Sequence, residues 1–441
     1  MAEIRPFRGL HYNLSLLGDL SRVICPPYDI ISSQLQQELY ARDEHNFVRL
    51  ELGRELPQDS AGDDRYSRAG ETLAKWLDEG VIEADETPAI YLHDHYFQLH
   101  ERKHRRRGII VRARLEEWEA MVVRPHEGTL PGARRDRLDL LGALQANTSP
   151  VLSMFEDRER RIAAVLDHEA SRQPMMHAGD FDGERHDVWA ITDGGAIGKI
   201  VGGLAEQPLY IADGHHRYTS SLTYRRQRRD FSIESSDSAW SGEEACNFVM
   251  MTLVDMADPG LVVLAPHRLV RGVSRTLLDG LAEKLAVFFD LEELPRETPD
   301  LWRQVDERLG ESDGVRLACY GVTGENVLLL RLRDPAAAAP MMPTFHTRLF
   351  QSLDVSVTDH VILDKLLEVD PASDEQTVAY CQDRQEAVDR VRDGEYQVTF
   401  FLRPVAPSLI KAIADDGDRM PRKSSYFFPK TPVGLVFNRL V

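Results

Sequence analysis

Hydrophobic and polar positions alternate along this chain with two different periods. In Arg65–Glu79 the apolar residues recur at helical spacing, among them Ala69, Leu73 and Trp76, and the pattern stops at Gly80. That spacing predicts an amphipathic helix that ends at the glycine. The same spacing predicts further helices near Ser33–Arg42, Asp136–Leu144, Leu349–Leu367 and Asp383–Arg392.

Other segments are rich in β-branched residues or alternate with a period of two, which predicts strands. They are Arg22–Cys25, Phe47–Leu52, Ala89–Leu99, Gly108–Leu115, Val315–Tyr320, Val327–Leu332 and Tyr396–Leu402. The basic run 101–107 lies between two of them and is predicted to form the solvated tip of a hairpin, although it can also contact phosphate. After the two prolines at 26 and 27, Asp29 is predicted to cap the following helix. Strands and helices alternate without a regular βαβ rhythm, so the predicted class is α+β, a mixed α/β arrangement.

Composition and charge limit the class of protein and the partners that the chain is expected to bind. The chain has 441 residues, and 53 Lys and Arg against 72 Asp and Glu give a formal charge of -19. This balance disfavours nucleic-acid binding, and the 42% hydrophobic content is that of a globular protein with two or three domains. Neither a long apolar run nor a signal peptide is evident, so we expect no membrane contact and a cytoplasmic location. The four cysteines are far apart and form no Cys-x-x-Cys pair, which argues against a thiolate zinc site.

The densest group of polar residues lies in Pro208–Tyr218, whose pattern predicts a strand, a tight turn and a helix. Gly214 allows the turn, and Asp213 can cap the helix, whose first N–H groups favour an anion. Three further donors follow directly: His215, His216 and Arg217. The segment therefore predicts a phosphate site. A purely structural capped turn remains an alternative, as does a metal site, which is disfavoured because adjacent helical histidines point about 100° apart.

A second polar segment begins at Val123. Glu127, between His126 and Gly128, has the exposed setting that a general base needs. Asp136, together with Asp139, is a candidate ligand for a divalent cation. The alternative is a solvated loop that leads into a charged helix.

A third polar segment, Met420–Lys430, places Lys423 and Lys430 on either side of an aromatic run. Lysines and hydroxyls suit phosphate, whereas an aromatic tail packed on the core is the alternative. The chain has no Walker-type phosphate loop, no Gly-x-Gly-x-x-Gly and no Gly-x-Ser-x-Gly motif.

Taken together, these motifs resemble the bacterial and archaeal family that carries domain of unknown function 1015. The resemblance rests on CPPYDII at 25–31, NFVRL at 46–50, HEGT at 126–129 with Asp136 and Arg137, IADGHHRY at 211–218 and MPRKSSYFFPK at 420–430. Over shorter stretches, the Asp-Gly-His-x-Arg element resembles the phosphate motif of the ParB/sulfiredoxin-like fold, which includes free serine kinases.

The resemblance implies a ParB/sulfiredoxin-like catalytic core at residues 1–265, with an inserted subdomain at about 85–185, followed by a C-terminal α+β domain at 266–441 that contributes a phosphate-site tail. His215 stands where sulfiredoxin chemistry requires a cysteine, so the thiol mechanism is excluded. ParB-type DNA binding fits poorly, because no basic helix-turn-helix follows the motif.

The function implied by the resemblance is transfer of a phosphoryl group from ATP, ADP or pyrophosphate, with Mg²⁺, to a small hydroxyl acceptor. Free L-serine is selected by the resemblance alone. The expected catalytic residues are Glu127, His126 and Asp213, and the expected donor-phosphate ligands are Gly214, His215, His216, Arg217, Lys423, Ser424 and Lys430. The acceptor would contact Tyr28, Asp29, Arg49, Thr129, Arg137 and Asn147, and the metal ligands are unassigned except for Asp136 as a candidate.

Two other functions stay open. The protein can be a regulatory protein that binds a nucleotide or phospho-ligand without turnover, or a phosphoester hydrolase in which Glu127 activates water. In each case the partners are small molecules, and a homodimer is compatible with the sequence.

Overall fold

The structure is a computed structural model that describes residues 1–180, 182–235, 240–311, 314–369 and 376–440. It contains two compact units. The first comprises Met1–Pro125, Thr129–Val262 and Pro429–Val441, and the second comprises His126–Gly128 and Val263–Phe428. Both units combine helices with largely antiparallel sheets, which confirms the predicted α+β class. The ParB/sulfiredoxin-like core stays a prediction.

The strands are numbered in chain order. They are β1 Ile4–Arg5, β2 Leu10–Tyr12, β3 Ile82–Ala84, β4 Ile90–Leu99, β5 Arg102–Arg114, β6 Val123–Arg124, β7 Ala146–Asn147, β8 Val151–Phe155, β9 Met176–Gly179, β10 Arg185–Ile191, β11 Leu209–Asp213, β12 Phe248–Asp255, β13 Val262–Leu264, β14 His267–Val270, β15 Phe289–Leu294, β16 Arg316–Tyr320, β17 Val327–Leu332, β18 Val378–Cys381, β19 Val398–Phe401, β20 Tyr426–Phe428 and β21 Asn438–Arg439.

The helices are α1 Leu14–Leu17, α2 Ser33–Arg42, α3 Val48–Glu51, α4 Arg65–Asp78, α5 Pro131–Leu144, α6 Arg161–Glu169, α7 Gly194–Leu204, α8 His215–Ser235, α9 Arg275–Asp279, α10 Leu281–Phe288, α11 Leu301–Leu309, α12 Pro335–Ala338, α13 Arg348–Gln351, α14 Asp354–Ser356, α15 Arg384–Arg392 and α16 Pro407–Asp415. Short 3₁₀ segments lie at Leu20–Arg22, Tyr28–Ile30, Trp118–Ala120, Ala245–Asn247 and Ala339–Met341, and Val357–Leu366 is π-helical.

The first unit is built on a sheet with the order β6-β11-β8-β12-β5-β4-β10-β9, and β1 pairs with β5. Strand β11 runs parallel to β6 and antiparallel to β8, and β12 runs parallel to β8. Both faces of this sheet are buried. Along β4, for example, Tyr91 belongs to one hydrophobic core, whereas Ile90 and Leu92 belong to the other. This sheet fixes the end of β11, where the predicted phosphate turn begins.

The C-terminal segment is part of the first unit. Phe437 and Val433 lie in the same core as Tyr91, and Cys25 exchanges two backbone hydrogen bonds with Val433. These contacts hold the segment that carries Lys430.

The second unit has a sheet with the order β15-β17-β16-β19-β14-β18. Its core includes Leu269, Val305 and Phe401, which come from β14, α11 and β19. The predicted strands at 315–320, 327–332 and 396–402 and the helix at 383–392 are confirmed here, to within two residues at each end.

Three local predictions near the N-terminus were wrong. Phe47–Leu52, predicted as a strand, contains helix α3, because Asn46 accepts the N–H of Val48 and starts a helical turn. Arg22–Cys25 contains the end of a 3₁₀ segment and an isolated bridge at Cys25. Helix α2 is capped by Ser32, whose hydroxyl accepts the N–H of Leu35, and not by Asp29.

The hairpin prediction was wrong about its tip. Strand β5 begins at Arg102, so the basic run lies mostly inside the strand. Arg106 and Arg107 are buried, and Arg107 forms a bidentate ion pair with Asp94 across the β4–β5 ladder. Helix α5 also begins earlier than predicted, since Pro131 suits a first helical turn.

In the second unit, the single helix predicted for Leu349–Leu367 is three pieces: α13, α14 and the π-helical segment. In the part of the chain that the structure describes, no helix combines the length and the apolar character needed to cross a bilayer.

Candidate functional site

The turn between β11 and α8 requires glycine for two reasons. Gly214 has φ +95°, a left-handed backbone conformation that L-residues with side chains rarely adopt. A Cβ at this position would also lie 3.0 Å from Nε and 3.1 Å from Cζ of Arg217. The glycine therefore lets the guanidinium of Arg217 fold back against the turn. The predicted strand, turn and helix are confirmed, with β11 ending at Asp213 and α8 starting at His215.

Asp213 lies between two cations. Its Oδ1 accepts a hydrogen bond from Nζ of Lys430 at 2.7 Å, and its Oδ2 accepts one from Nη2 of Arg217 at 2.6 Å. The same Nζ is 3.4 Å from Oδ2 of Asp29. Burial alone would raise the pKa of Asp213, but Lys430 and Arg217 outweigh burial and hold that pKa well below its usual range. Asp213 is therefore ionised, and each of its oxygens has a cationic partner.

Arg217 has a further feature that points to a ligand. Its Nη1 donates to the carbonyl of Pro150, and Nη2 donates to Asp213. Its Nε is buried and has no hydrogen-bond partner among the described residues. Arg217 also lines a cavity of about 40 Å³, too small for a nucleotide, together with Arg137, Asn147, Thr148, Ser149 and Ser220.

The segment around Lys430 is held on both sides. Arg106 donates from Nη1 to the carbonyl of Pro429 and from Nη2 to Oγ1 of Thr431, both at 2.9 Å. Because this guanidinium is fully buried, its pKa is lowered to about 10. No local pattern in the sequence indicates this contact, because Arg106 belongs to a run predicted to be solvated.

The two adjacent histidines have different surroundings. His215 is buried, and its positive form would help to lower the pKa of Asp213. His216 accepts the backbone N–H of Leu130 on Nε2 at 2.9 Å, just before α5 starts. His216 therefore anchors the start of α5 through that nitrogen.

Next to Arg217, Tyr28 and Arg137 form a stacked pair in which the guanidinium carbon lies 3.9 Å from the centre of the tyrosine ring. Burial raises the pKa of Tyr28 to about 12. Glu51, a fully buried carboxylate, accepts the hydroxyls of Thr148 at 2.7 Å and Ser149 at 3.1 Å. Sequence reasoning missed Glu51, because it lay in a segment predicted to be a half-buried strand.

Three of the predicted ligands have protein partners of their own. Asp136, the candidate metal ligand, accepts hydrogen bonds from Arg65, Tyr66 and Arg137. Arg49 donates to the carbonyls of Glu44 and Tyr40, and Asn147 accepts the N–H of Met250. The surroundings of Asp136 are cationic, which disfavours a metal ion there.

Predicted residues of the second unit form a separate cluster. The backbone N–H of Ser424 donates to Oε1 of Glu127 at 3.0 Å, and Nε2 of His126 is 2.9 Å from Oγ of Ser425. Lys423 has φ +58° and an exposed side chain. Thr129 belongs to the first unit and is half-buried. The structure thus brings Asp213, Arg217, Lys430 and Asp29 together in one unit, and His126, Glu127 and Ser424 together in the other.

Solved structures with similarity to this chain include a free serine kinase in complex with AMP, at 12% identity and a TM-score of 0.37, covering 74% of this chain and 92% of that one. A conserved hypothetical protein from Pyrococcus furiosus has 12% identity and a TM-score of 0.33, covering 74% of this chain and 95% of that one. SbnI with a C-terminal truncation, from Staphylococcus aureus, has 10% identity and a TM-score of 0.33, covering 73% and 84%. No curated protein matches the chain.

The sequence also matches the model of a family described as protein of unknown function, DUF1015, and the match extends over residues 4–356. This range includes β1 to β17 and the whole Asp213–Arg217 turn. The resemblance drawn from the motifs is confirmed, and the chain belongs to the DUF1015 family.

Proposed function

We propose that this protein is a phosphotransferase whose first unit binds the phosphates of its donor at the Gly214 turn. The observation that carries the proposal is the pair of cations, Lys430 and Arg217, held on the two oxygens of Asp213 where α8 begins. Asp29, 3.4 Å from Nζ of Lys430, balances the second cation, so the attraction for an anion comes from the N–H donors of Lys430 and Arg217 and from the start of α8, and not from an excess of positive charge. A phosphate is the anion that such a site fits best, because the first turn of a helix also favours negative charge.

The donors at this turn have the geometry that phosphoryl groups require. Arg217 offers a buried Nε without a hydrogen-bond partner among the described residues, and a planar guanidinium suits phosphate oxygens. The cavity that Arg217 lines is too small for a nucleotide, so the donor would bind outside this cavity. Phosphoryl transfer needs chiefly positioning and neutralisation of charge, which fixed cations supply.

Asp213 acts in this proposal by fixing the two cations. Both of its oxygens accept hydrogen bonds from cations, and its pKa is held low, so it is a poor proton acceptor. Glu127 remains our candidate for the general base that activates the acceptor hydroxyl. The choice of free L-serine as the acceptor, and of ATP, ADP or pyrophosphate as the donor, rests on the motif resemblance.

Mg²⁺ would accompany the donor phosphates. Because the oxygens of Asp213 already have cationic partners, the turn offers no all-protein cage for the ion. Mg²⁺ commonly binds phosphates and water with only one or two carboxylates. The partly exposed Asp29 would serve here only when Lys430, which is 3.4 Å away, turns from it toward the donor phosphates. The ion would reduce the negative charge on the transferred group.

The proposal is tested by phosphorus NMR of the purified protein with Mg²⁺ and L-serine, in separate samples with ATP, ADP or pyrophosphate. We expect phosphoserine in at least one sample. Donor consumption that does not depend on serine would indicate a hydrolase. A lack of turnover in every sample, with a thermal shift caused by a phosphate ligand, would indicate a regulatory protein, and either result would contradict the phosphotransferase proposal.

Variants locate the donor site. Arg217→Ala and Lys430→Ala should each weaken donor binding roughly tenfold to a hundredfold, the usual value of a charged hydrogen bond. Lys199→Ala removes an exposed lysine on α7 in the same unit and serves as the matched control. Donor affinity is measured by calorimetry. Equal affinity in all three variants would mean that the donor does not bind at the Gly214 turn.

A further inference from the structure

A second polar cluster lies in the first unit, and the proposed phosphotransfer does not use it. It consists of His95 on β4, His186 on β10, and Asp180 and Glu184 from the connection between β9 and β10. One ligand atom from each of the four side chains lies within 4.8 Å of the others. His95 and His186 face each other across the β4–β10 ladder and are almost completely buried.

The distances inside the cluster separate a pair at metal-ligand spacing from a pair at hydrogen-bond distance. Nε2 of His186 and Oδ2 of Asp180 are 3.1 Å apart. Metal–ligand bonds of about 2.0–2.2 Å place two neighbouring ligands about 3.0–3.5 Å apart, so this pair fits binding to one ion. Nε2 of His95 and Oε2 of Glu184 are only 2.6 Å apart, which is a hydrogen-bond distance.

The position of the proton on His95 also indicates that this histidine is not a metal ligand. Arg106 is purely a donor, and its Nη2 lies 3.1 Å from Nδ1 of His95, so Nδ1 is the acceptor. Neutral His95 therefore carries its proton on Nε2 and donates it to Glu184. A metal bond at Nε2 of His95 would require the proton on Nδ1, where it would face Arg106.

His186 has the opposite arrangement, which suits a metal ligand. Its Nδ1 is 3.1 Å from Nε2 of His93, another buried histidine of β4. Nε2 of His93 can accept a hydrogen bond from the Nδ1–H of His186, which leaves Nε2 of His186 with a free electron pair. Ligating histidines almost always have such a partner on the other ring nitrogen.

The composition of the cluster also suits a cation. Asp180 and Glu184 place two carboxylates beside the imidazoles of His95 and His186, and one ligand atom of each side chain lies within 4.8 Å of the others. Carboxylates and imidazoles are ligands that divalent transition-metal ions bind.

We propose that His186, Asp180 and Glu184 bind a divalent first-row transition-metal ion, and that His95 and His93 orient two of these ligands. One imidazole nitrogen and two carboxylates suit Zn²⁺ or Mn²⁺ better than Mg²⁺, which prefers oxygen ligands. The site is independent of the proposed phosphotransfer. It is nevertheless joined to Lys430, because Arg106 contacts His95 and also both residues that flank Lys430.

The test is equilibrium dialysis of the full-length protein, first stripped with a chelator, against Zn²⁺ and separately against Mn²⁺, with the metal content measured by mass spectrometry. We expect about one equivalent of at least one of the two ions per chain. Asp180→Asn and His186→Ala should abolish this binding. His95→Gln should retain it with affinity reduced roughly tenfold to a hundredfold, the usual effect of losing an orienting partner.

His168→Ala serves as the matched control, because His168 is an exposed histidine on α6 of the same unit. Glu184→Gln keeps the side-chain shape and covers the case in which His186→Ala does not fold; it should also lose the metal. The Co²⁺-loaded protein should show visible absorption bands that disappear in Glu184→Gln and persist in His168→Ala. Wild-type protein without a bound equivalent of Zn²⁺ or Mn²⁺, or undiminished binding in both Asp180→Asn and Glu184→Gln, would overturn the proposal.

Discussion

Asp213 and Glu184 are two carboxylates of the same unit, and their surroundings have opposite effects. Asp213 lies between Lys430 and Arg217, which hold its pKa well below the usual range. Burial, together with the neighbouring Asp180 and Asp182, raises the pKa of Glu184 to about 8. The first carboxylate already has its counter-ions, whereas the second has an excess of negative charge around it.

This difference indicates what each place can bind. At Asp213 two cations, Lys430 and Arg217, are held close together at the start of a helix, and their N–H groups can turn toward an anion. A carboxylate crowded by others, with neutral histidines at hand, gains most from a cation. The two clusters of the first unit are therefore expected to bind ligands of opposite charge, and both are connected to the segment around Lys430 by Arg106.

The largest effect is expected when Asp213 loses its charge. Asp213→Asn removes the carboxylate that Lys430 and Arg217 share and leaves only Asp29 beside Lys430, so it should lower the free energy of unfolding by about 3 kcal/mol. This is the low end for a buried ion pair, because the Asp213 side chain is 25% exposed. Chemical denaturation measures the change.

The control for this substitution is Asp139→Asn. It breaks an exposed i,i+4 pair with Arg135 on α5 and should cost less than about 1 kcal/mol. Equal losses in the two variants would mean that Asp213 is no more strongly coupled to its cations than a surface carboxylate.

The ion pairs of Asp213 also predict that the stability of the protein depends on pH. The pKa of Asp213 is lower in the folded protein than its ordinary value of about 4, so the unfolded chain binds more protons at this residue. The stabilisation is therefore complete above about pH 4 and is lost as the pH falls through the folded value. The stability difference between wild type and Asp213→Asn should shrink below about pH 4, and a constant difference in acid would contradict the ion-pair interpretation.

Glu127 is a third carboxylate, and it differs from the other two because a backbone N–H, that of Ser424, is its donor. Glu127→Gln should lower turnover by at least about a hundredfold and leave donor affinity unchanged, as expected for the loss of a general base. Glu119→Gln, at an exposed position, is the control for the loss of a glutamate. Unchanged turnover in Glu127→Gln would show that the base is another residue.

Sequence reasoning succeeded where the signal was contiguous. The Gly214 turn is predicted correctly because five adjacent residues specify a strand end, a left-handed glycine and a helix start. Strand β17 and helix α15 are predicted from their periodicity for the same reason.

Prediction from the sequence failed where the environment of a residue depends on residues far away in the chain. Arg106 appeared to belong to a solvated basic run, but its partners are His95, Pro429 and Thr431, which no local pattern reveals. The cluster of His95, Asp180, Glu184 and His186 was missed because His95 on β4 lies far along the chain from the other three, and only the pairing of β4 with β10 brings them together. Two local signals were available: the spacing of His93 and His95, which places two histidines on the same face of a strand, and the run of possible ligands Asp180, Glu184 and His186.

The smallest expected effect separates the two roles of Gly214. Gly214→Ala forces a side chain into φ +95° and also displaces Arg217, whose Nε would be 3.0 Å from the new Cβ. Gly62→Ala is the matched control, because Gly62 has φ +89° with open space around its Cβ position. Both variants should lose about 1–2 kcal/mol of stability from the backbone conformation. Only Gly214→Ala should also weaken donor binding, since only there does the new methyl group push a guanidinium away from Asp213; equal donor affinity in the two variants would mean that the position of Arg217 does not determine how the phosphate is bound.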